Sequence, residues 1–175
     1  NSVQEVIEYF EDEGIDMEGA MDDEILDADE VFVSSGASDE LGDILHIFDK
    51  SNKVLIMEPA YPAYVDANVM DGREIIHLAS GKYNNFLPMP DESIDADIIY
   101  LCSPNNPTGN AFELADIEWL LQAFSEQIVV IDEAYIDFSS KPSLLTVLDK
   151  YENLIVLQTL SKAWGQAAIR CGIAY

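Results

Sequence analysis

The feature that most constrains the fold is a regular alternation of short apolar runs with segments of helical spacing. Each run is four to six residues long, a length typical of a buried strand. Parallel strands need a crossover between them, and a helix is the usual one. The alternation therefore predicts an α/β fold, a three-layer and mainly parallel sheet with helices on both faces. The predicted strands are Val31–Ser34, Lys53–Met57, Glu74–Leu78, Asp97–Cys102, Gln127–Asp132, Leu154–Leu157 and Cys171–Tyr175.

The segments between and before the strands carry helical patterns and end at turn residues. No internal repeat or low-complexity linker interrupts them, so residues 1–175 are expected to form one domain. The predicted helices are Val3–Glu13, a short one within Asp16–Asp29, one through Ile44–Phe48, one from the Pro59 region to Gly72, Glu113–Phe124 and Ser143–Leu148.

Composition narrows the class of protein. With 49% hydrophobic and 10% aromatic residues the chain is not a disordered one, and no apolar run reaches the roughly 20 residues that span a bilayer. No basic-then-apolar leader is seen, so we expect a soluble, cytoplasmic protein. The 34 acidic and 8 basic residues give a formal charge of -26, which disfavours nucleic acid and anionic membranes as partners. Solubility and adaptation to high salt both explain this acidity.

The two cysteines, Cys102 and Cys171, lie in predicted strands and lack the spacing of a metal site. They are expected to be buried thiols, and no metal site is predicted.

The segment Thr159–Arg170 carries the first candidate for chemistry. An apolar strand leads to Lys162 among small and hydroxyl-bearing residues, and Arg170 follows eight positions later. That pattern suits a lysine that forms an imine beside a phosphate anchor. A Ser-Lys pair near an arginine is also common on ordinary surfaces, and this alternative stays open.

A second candidate lies between the first predicted strand and the following helix. The sequence Ser35-Gly36-Ala37-Ser38 would present unpaired backbone N–H groups at a helix N-terminus, where an anion such as phosphate binds. The alternative is a plain helix cap made by a Ser or Asp side chain.

Three more candidates follow predicted strands. Pro59 and Pro62 hold Tyr61 where its ring could lie flat on a planar ligand, although core packing would equally explain it. The turn formers of 103–109 predict a rigid loop that aims an asparagine amide at the sheet edge, with a bare turn as the alternative. Asp132 follows four apolar residues, so we expect a partly buried carboxylate met by a cation or a proton donor, or else a helix cap.

Taken in order, these motifs resemble the large domain of fold-type-I pyridoxal-phosphate aminotransferases. The most specific are the SPNNPTG loop at 103–109, the DEAY segment at 132–135, and the SK pair at 161–162 followed by Arg170. The resemblance covers nearly the whole chain and implies pyridoxal 5'-phosphate as cofactor, an amino acid or amine and a 2-oxo acid as substrates, and a homodimer.

The resemblance also implies roles for individual residues. Lys162 would hold the cofactor covalently and act as the base, with Asp132 and Tyr135 completing the catalytic set. Asp132 would face the pyridine nitrogen, Tyr61 would stack on the ring, and Asn106 with Tyr135 would contact the phenolic oxygen. The implied phosphate ligands are Gly36, Ala37, Ser38, Thr159, Ser161 and Arg170.

The two halves of the chain resemble different subfamilies. SPNNPTGNAF, VVIDEAYIDFS, TLSKAWG and IRCG are similar to histidinol-phosphate aminotransferases, whereas VFVSSGASDELGDI and PAYPAYVDANVMDGR resemble LL-diaminopimelate aminotransferases. The second family more often has an Asp-Ala-Ala-Tyr segment, where this chain has Asp132-Glu133-Ala134-Tyr135. Histidinol-phosphate aminotransferase is therefore the favoured interpretation.

The sequence departs from these families in two ways. Gln166-Ala167-Ala168 replaces the more usual Leu-Ala-Gly beside the predicted phosphate site, and the N-terminal arm and C-terminal small domain of the families are not recognised. A truncated or engineered scaffold without catalysis is therefore one alternative. A decarboxylation or β-elimination on the same fold is another, which the SPNNPTG and DEAY segments make less favoured.

Overall fold

The computed structural model describes residues 30–175. The helices predicted within 3–13 and 16–29 lie outside the described residues. Across 30–175, none of the helices combines the length and the apolarity that crossing a bilayer requires.

A seven-stranded mixed sheet forms the centre of the described structure, with strand order β1-β7-β6-β5-β4-β2-β3. β7 pairs antiparallel with both of its neighbours, and the remaining pairings are parallel. β1 therefore runs in the same direction as the parallel strands. The strands are β1 Phe32–Ser34, β2 Val54–Met57, β3 Ile75–Leu78, β4 Ile98–Cys102, β5 Ile128–Asp132, β6 Leu154–Thr159 and β7 Gly172–Ala174.

Helices cover both faces of this sheet. α1 (Ala37–Ile47) and α2 (Pro62–Asp71) lie on one face, and α3 (Leu114–Ala123) lies on the other with a 3-10 helix over Leu144–Lys150. The predicted three-layer α/β architecture is confirmed. The helix predicted over Ser143–Leu148 is wrong in type, because it forms the 3-10 helix instead.

The central strands are buried on both sides, as expected for a parallel sheet between helical layers. Alternate residues of β4 enter different cores: Ile99 and Leu101 pack towards α3, whereas Ile98 and Tyr100 pack towards α1 and α2. Cys102 and Cys171 are both buried and form no disulfide, so the prediction of buried thiols is confirmed.

Candidate active site

An open pocket lies at the edge of the sheet where the parallel strands end. β4, β5 and β6 end there in Cys102, Asp132 and Thr159. The pocket holds about 580 Å³ of empty space including its mouth, a size usual for small-molecule sites. It is lined by Ala37, Ser38, Leu41, Tyr61, Cys102, Asn106, Asp132, Ala134, Tyr135, Thr159, Ser161, Lys162 and Arg170. Every site residue predicted from the sequence except Gly36 therefore meets in one pocket.

The N-terminus of α1 opens into this pocket through Ala37 and Ser38. Gly36 is the N-cap residue, and no side chain caps the helix among the described residues. The alternative of a Ser or Asp side-chain cap is therefore wrong. Backbone N–H groups of a first helical turn have no partner within the helix and carry the positive end of its dipole. This end of the pocket is suited to an anion.

Gly36 lies outside the pocket lining but shapes its wall by lacking a side chain. Its backbone has φ 113° and ψ 154°, which residues other than glycine rarely adopt. A Cβ atom at this position would lie 2.5 Å from Nη2 of Arg170. The guanidinium therefore occupies the space that a side chain at residue 36 would fill, and the cation lies against the start of α1.

Arg170 is itself held in an unusual conformation. Its backbone is left-handed, with φ 54° and ψ 62°, and it follows the short 3-10 helix Ala167–Ile169. Its Nη1 donates to the carbonyl of Ala167 at 3.4 Å. An arginine fork beside uncapped helical N–H groups matches the charge and geometry of a phosphate.

The turn that carries the predicted lysine is fixed by the buried side chain of Thr159. The Thr159 hydroxyl contacts the Ser161 hydroxyl and the carbonyl of Cys171, each at 3.1 Å, and accepts from the Ser161 N–H at 3.2 Å. Thr159 thus organises the loop through internal contacts, while the exposed Lys162 projects beside it.

Two tyrosines from different elements flank the pocket. Nζ of Lys162 lies 5.3 Å from the ring centroid of Tyr135, within range of a cation–π contact. Tyr61 is the N-cap residue of α2 and keeps 38% of its surface exposed. Its ring meets Tyr64 edge to face, with centroids 6.0 Å apart. Tyr61 also lines the pocket.

The two adjacent asparagines of the 103–109 loop do different work. Asn105 is used inside the loop: its Nδ2 donates to the carbonyl of Pro59, and its Oδ1 accepts from the N–H and hydroxyl of Thr108. Asn106 lines the pocket. The bare-turn alternative is therefore wrong, because the loop is hydrogen-bonded to the segment after β2 and places Asn106 at the pocket.

Asp132 is the buried carboxylate of the site, with 7% of its surface exposed. Its Oδ1 accepts from the N–H of Ala134 at 2.9 Å, and its Oδ2 accepts from the Tyr64 hydroxyl at 2.5 Å. Burial raises the pKa of Asp132, while the Tyr64 hydroxyl, the Ala134 N–H and the charge of Lys162 act to lower it. The expectation that a proton donor meets this carboxylate is confirmed.

The sequence interpretation missed Tyr64, Cys102 and Glu133. Tyr64 follows Tyr61 by three residues, a helical spacing that turns it towards the sheet. The thiol of Cys102, whose pKa burial raises to about 12, also lines the pocket. Glu133 turns away and accepts from the Ser143 hydroxyl, the N–H of Leu144 and the side chain of Gln158. It joins the end of β5 to the 3-10 helix and β6.

Comparison with known proteins places this pocket in a family. A family profile described as aminotransferase class I and II matches residues 7–175. The chain belongs to the class I and II aminotransferases. In this member of the family, a buried carboxylate, a lysine, an arginine and the N-terminus of α1 lie together at one edge of the sheet.

Individual relatives refine this assignment. A histidinol-phosphate aminotransferase of Flavobacterium johnsoniae is 41% identical over 156 residues, which covers 83% of this chain and 43% of that protein. The solved structure of L,L-diaminopimelate aminotransferase from Chlamydomonas reinhardtii superposes with TM-score 0.78 at 29% identity, over 90% of this chain and 43% of that one. The crystal structure of L-threonine-O-3-phosphate decarboxylase from Porphyromonas gingivalis superposes with TM-score 0.76 at 25% identity, over 85% of this chain and 45% of that one. The chain spans less than half the length of the curated relatives it matches.

Proposed function

We propose that residues 1–175 form the cofactor-binding large domain of a pyridoxal-phosphate-dependent aminotransferase, most like histidinol-phosphate aminotransferase. The substrates would be an amino acid or amine and a 2-oxo acid, and the active form a cytoplasmic homodimer. The observation that carries the proposal is the convergence of the predicted site residues on one pocket. The match to histidinol-phosphate aminotransferase covers 83% of the chain and so extends well into its first half, which favours that subfamily over the LL-diaminopimelate one.

The donor set fits pyridoxal 5'-phosphate in both charge and shape. Arg170, Ser161 and the first N–H groups of α1 offer an anion site, and Gly36 leaves the room that the guanidinium needs. Asp132 offers a buried acceptor for a protonated ring nitrogen. Among residues 30–175 no cluster of His, Cys, Asp and Glu could hold a metal ion.

In this proposal the phosphate would be held by Arg170, by the Ser161 hydroxyl and by the N–H groups of Ala37 and Ser38. Arg170 can contact two oxygens at once with its planar fork. Thr159 would support this site by fixing the loop, because its hydroxyl already contacts Ser161 and Cys171.

The ring would lie under Tyr61, with Asn106 and the Tyr135 hydroxyl at its phenolic oxygen. The amine of Lys162 would hold the cofactor until the substrate amine displaces it. The freed amine would then accept the proton that leaves the substrate α-carbon and become the ammonium form. Bound pyridoxal phosphate supplies an electron sink for that carbon. The Asp132 carboxylate would hold the proton on the ring nitrogen and so maintain the sink.

The first test is an absorption spectrum of the purified chain after pyridoxal phosphate is added and the excess removed. We expect a protein-bound band in the visible region that Lys162→Ala abolishes, because this substitution removes the attaching amine. Lys150→Ala, an exposed lysine at the end of the 3-10 helix, is the control and should keep the band. An adduct at an active-site lysine that borohydride still reduces in Lys162→Ala would contradict the proposal.

The second test separates the reaction classes. Loaded chain is mixed with histidinol phosphate, LL-diaminopimelate or O-phosphothreonine, and the products are analysed with and without a 2-oxo acid. Conversion of histidinol phosphate to its oxo product supports the favoured subfamily, and conversion of LL-diaminopimelate supports the other. Release of carbon dioxide from O-phosphothreonine would indicate the decarboxylase alternative, and a stable band with no turnover would indicate a scaffold.

A further inference from the structure

Tyr64 lies below the pocket and connects α2 to the end of β5. Only 2% of its surface is exposed, and its hydroxyl donates to Oδ2 of Asp132 at 2.5 Å. The other carboxylate oxygen accepts from the N–H of Ala134. Within residues 30–175, no cation lies at ion-pair distance from Asp132. Its nearest stabilising partners are therefore two neutral donors.

We propose that Tyr64 is a positioning residue for the reaction, whose hydroxyl fixes the orientation of the Asp132 carboxylate so that this carboxylate can receive the ring nitrogen of the cofactor. This inference rests on the proposed function. It assigns to α2 a second contribution to the site, besides the stacking surface of Tyr61.

The surroundings of the pair explain why a tyrosine can do this. Removing a carboxylate from water favours its protonated form, and hydrogen bonds donated to the charged form oppose that effect. The titratable groups near Asp132 are the Tyr64 hydroxyl from α2, the Cys102 thiol from β4, Lys162 after β6 and the adjacent Glu133. Burial and, to a smaller extent, the charge of Asp132 raise the pKa of Glu133. The thiol is neutral near pH 7, since burial raises its pKa to about 12. Lys162 is exposed, so water screens its charge.

The Tyr64 hydroxyl donates its hydrogen bond without giving up its proton. Burial, and then the neighbouring Asp132 carboxylate, raise its pKa well above the usual value for tyrosine. It therefore stays a donor throughout the neutral range. Asp132 is then the group that exchanges a proton with the ring nitrogen, and Tyr64 holds it in place.

Tyr100 provides a matched control in the same core. Its ring stacks on Tyr64, with centroids 5.6 Å apart and 17° between the planes, and it is also 2% exposed. Its hydroxyl has no hydrogen-bond partner within the part of the chain that the structure describes. Tyr64→Phe and Tyr100→Phe thus each remove one buried oxygen atom, but only the first removes a donor to Asp132.

The experiment compares the two variants without and with pyridoxal phosphate. In the cofactor-free chain, carboxyl-13C aspartate is titrated by NMR. We expect Tyr64→Phe to raise the pKa of Asp132 and Tyr100→Phe to leave it unchanged. At neutral pH, Tyr64→Phe should weaken pyridoxal phosphate binding by about tenfold or more, the size of a hydrogen bond to a charged group. The loss should shrink as pH rises and Asp132 ionises again.

An unchanged pKa of Asp132 in Tyr64→Phe, or equal effects of the two variants, would overturn the inference. If Tyr64→Phe does not fold, the wild-type chain still decides. When the Tyr64 hydroxyl proton is exchanged for deuterium, the 13C chemical shift of the Asp132 carboxyl carbon should change, because this hydroxyl donates to the carboxylate. The absence of such a change would contradict the inference. A wild-type chain that passes these tests but binds no pyridoxal phosphate would refute the proposed function and leave the Tyr64 contact standing.

Discussion

At the scale of single residues, the contact between Gly36 and Arg170 joins two features that the sequence presents far apart. Both residues were assigned to the phosphate site separately, one as part of a glycine turn and the other as a cation after the lysine. The structure shows that the guanidinium fills the position of a missing side chain. The glycine is therefore required by its neighbour as well as by its own backbone conformation.

Gly36→Ala should disturb both properties. We expect a loss of about 1–3 kcal/mol in unfolding free energy from the strained backbone, together with weaker pyridoxal phosphate binding because Cβ displaces the guanidinium. Urea denaturation and a cofactor titration measure the two effects.

Gly42→Ala is the control, because nothing lies within 4 Å of a Cβ built at this position inside α1. It should raise stability by about 0.5–1 kcal/mol through the helix preference for alanine. Wild-type cofactor affinity in Gly36→Ala would show that Arg170 is not held by this contact.

Local sequence predicted the residues that directly follow apolar runs, and it failed for those whose partners are distant. Asp132 and Thr159 end strands, so their place at the sheet edge follows from the pattern. Tyr64 contacts Asp132 across 68 positions. The spacing of residues within α2 does not predict this contact, because the partner of Tyr64 depends on which strand α2 packs against.

At the scale of elements, α1 is fastened at the end opposite the pocket. The side chain of Arg73, which follows α2, is fully buried and donates to the carbonyls of Leu45, Phe48 and Asp49. These carbonyls belong to the last turn of α1 and the residues after it, which lack partners within the helix. Arg73 thus ties α1 to α2, and with it the N-terminus that opens into the pocket.

Arg73→Met should remove the buried donor shared by these carbonyls, of which that of Asp49 keeps the N–H of Asn52, and destabilise the chain by at least about 2 kcal/mol. Lys50→Met serves as the control, because Lys50 pairs with Asp71 near Arg73 but its side chain is 74% exposed. Because the lysine is exposed, water weakens the pair, although the side chain of Asp71 is only 17% exposed, and a pair at the protein surface is worth less than about 1 kcal/mol. Urea denaturation of both variants tests the difference, and similar losses would mean that the cap contributes no more than a surface ion pair.

The sequence predicted whether a segment forms a strand or a helix where its apolar residues follow a clear period. It failed where contacts with distant residues determine the backbone conformation. The strands follow from short apolar runs, but the segment after Ser143 forms a 3-10 helix. Its start is fixed by Glu133, which accepts from both the Ser143 hydroxyl and the Leu144 N–H. Glu133 lies at the end of another strand, so the local pattern contains no trace of this constraint.

At the scale of the whole molecule, the alternation of strands and helices predicted a parallel sheet but not its order. That β7 lies between β1 and β6 and runs against both depends on pairing between distant segments. Composition, in contrast, is a property of the entire chain that the sequence gives directly. The charge of -26 is one such property with a measurable effect on stability.

Self-repulsion of this charge should make stability rise with salt, because screening relieves repulsion that is stronger in the compact state than in the unfolded chain. We expect a higher midpoint of thermal unfolding as sodium chloride increases from low to molar concentration, followed by circular dichroism. The same series near pH 4, where many carboxylates are neutral, should show a smaller dependence. A midpoint that is flat or falls with salt at neutral pH would contradict this expectation.

The order in which the pocket residues occur along the chain bears on biogenesis. The helical N–H groups and Tyr61 come from the first half, whereas Lys162 and Arg170 lie between β6 and β7. A ribosome delivers segments in that order, and early segments can begin to fold first. A nascent chain would therefore expose the N-terminus of α1 before Lys162 and Arg170 emerge, and under the proposed function cofactor capture would begin only after residue 170 has left the exit tunnel.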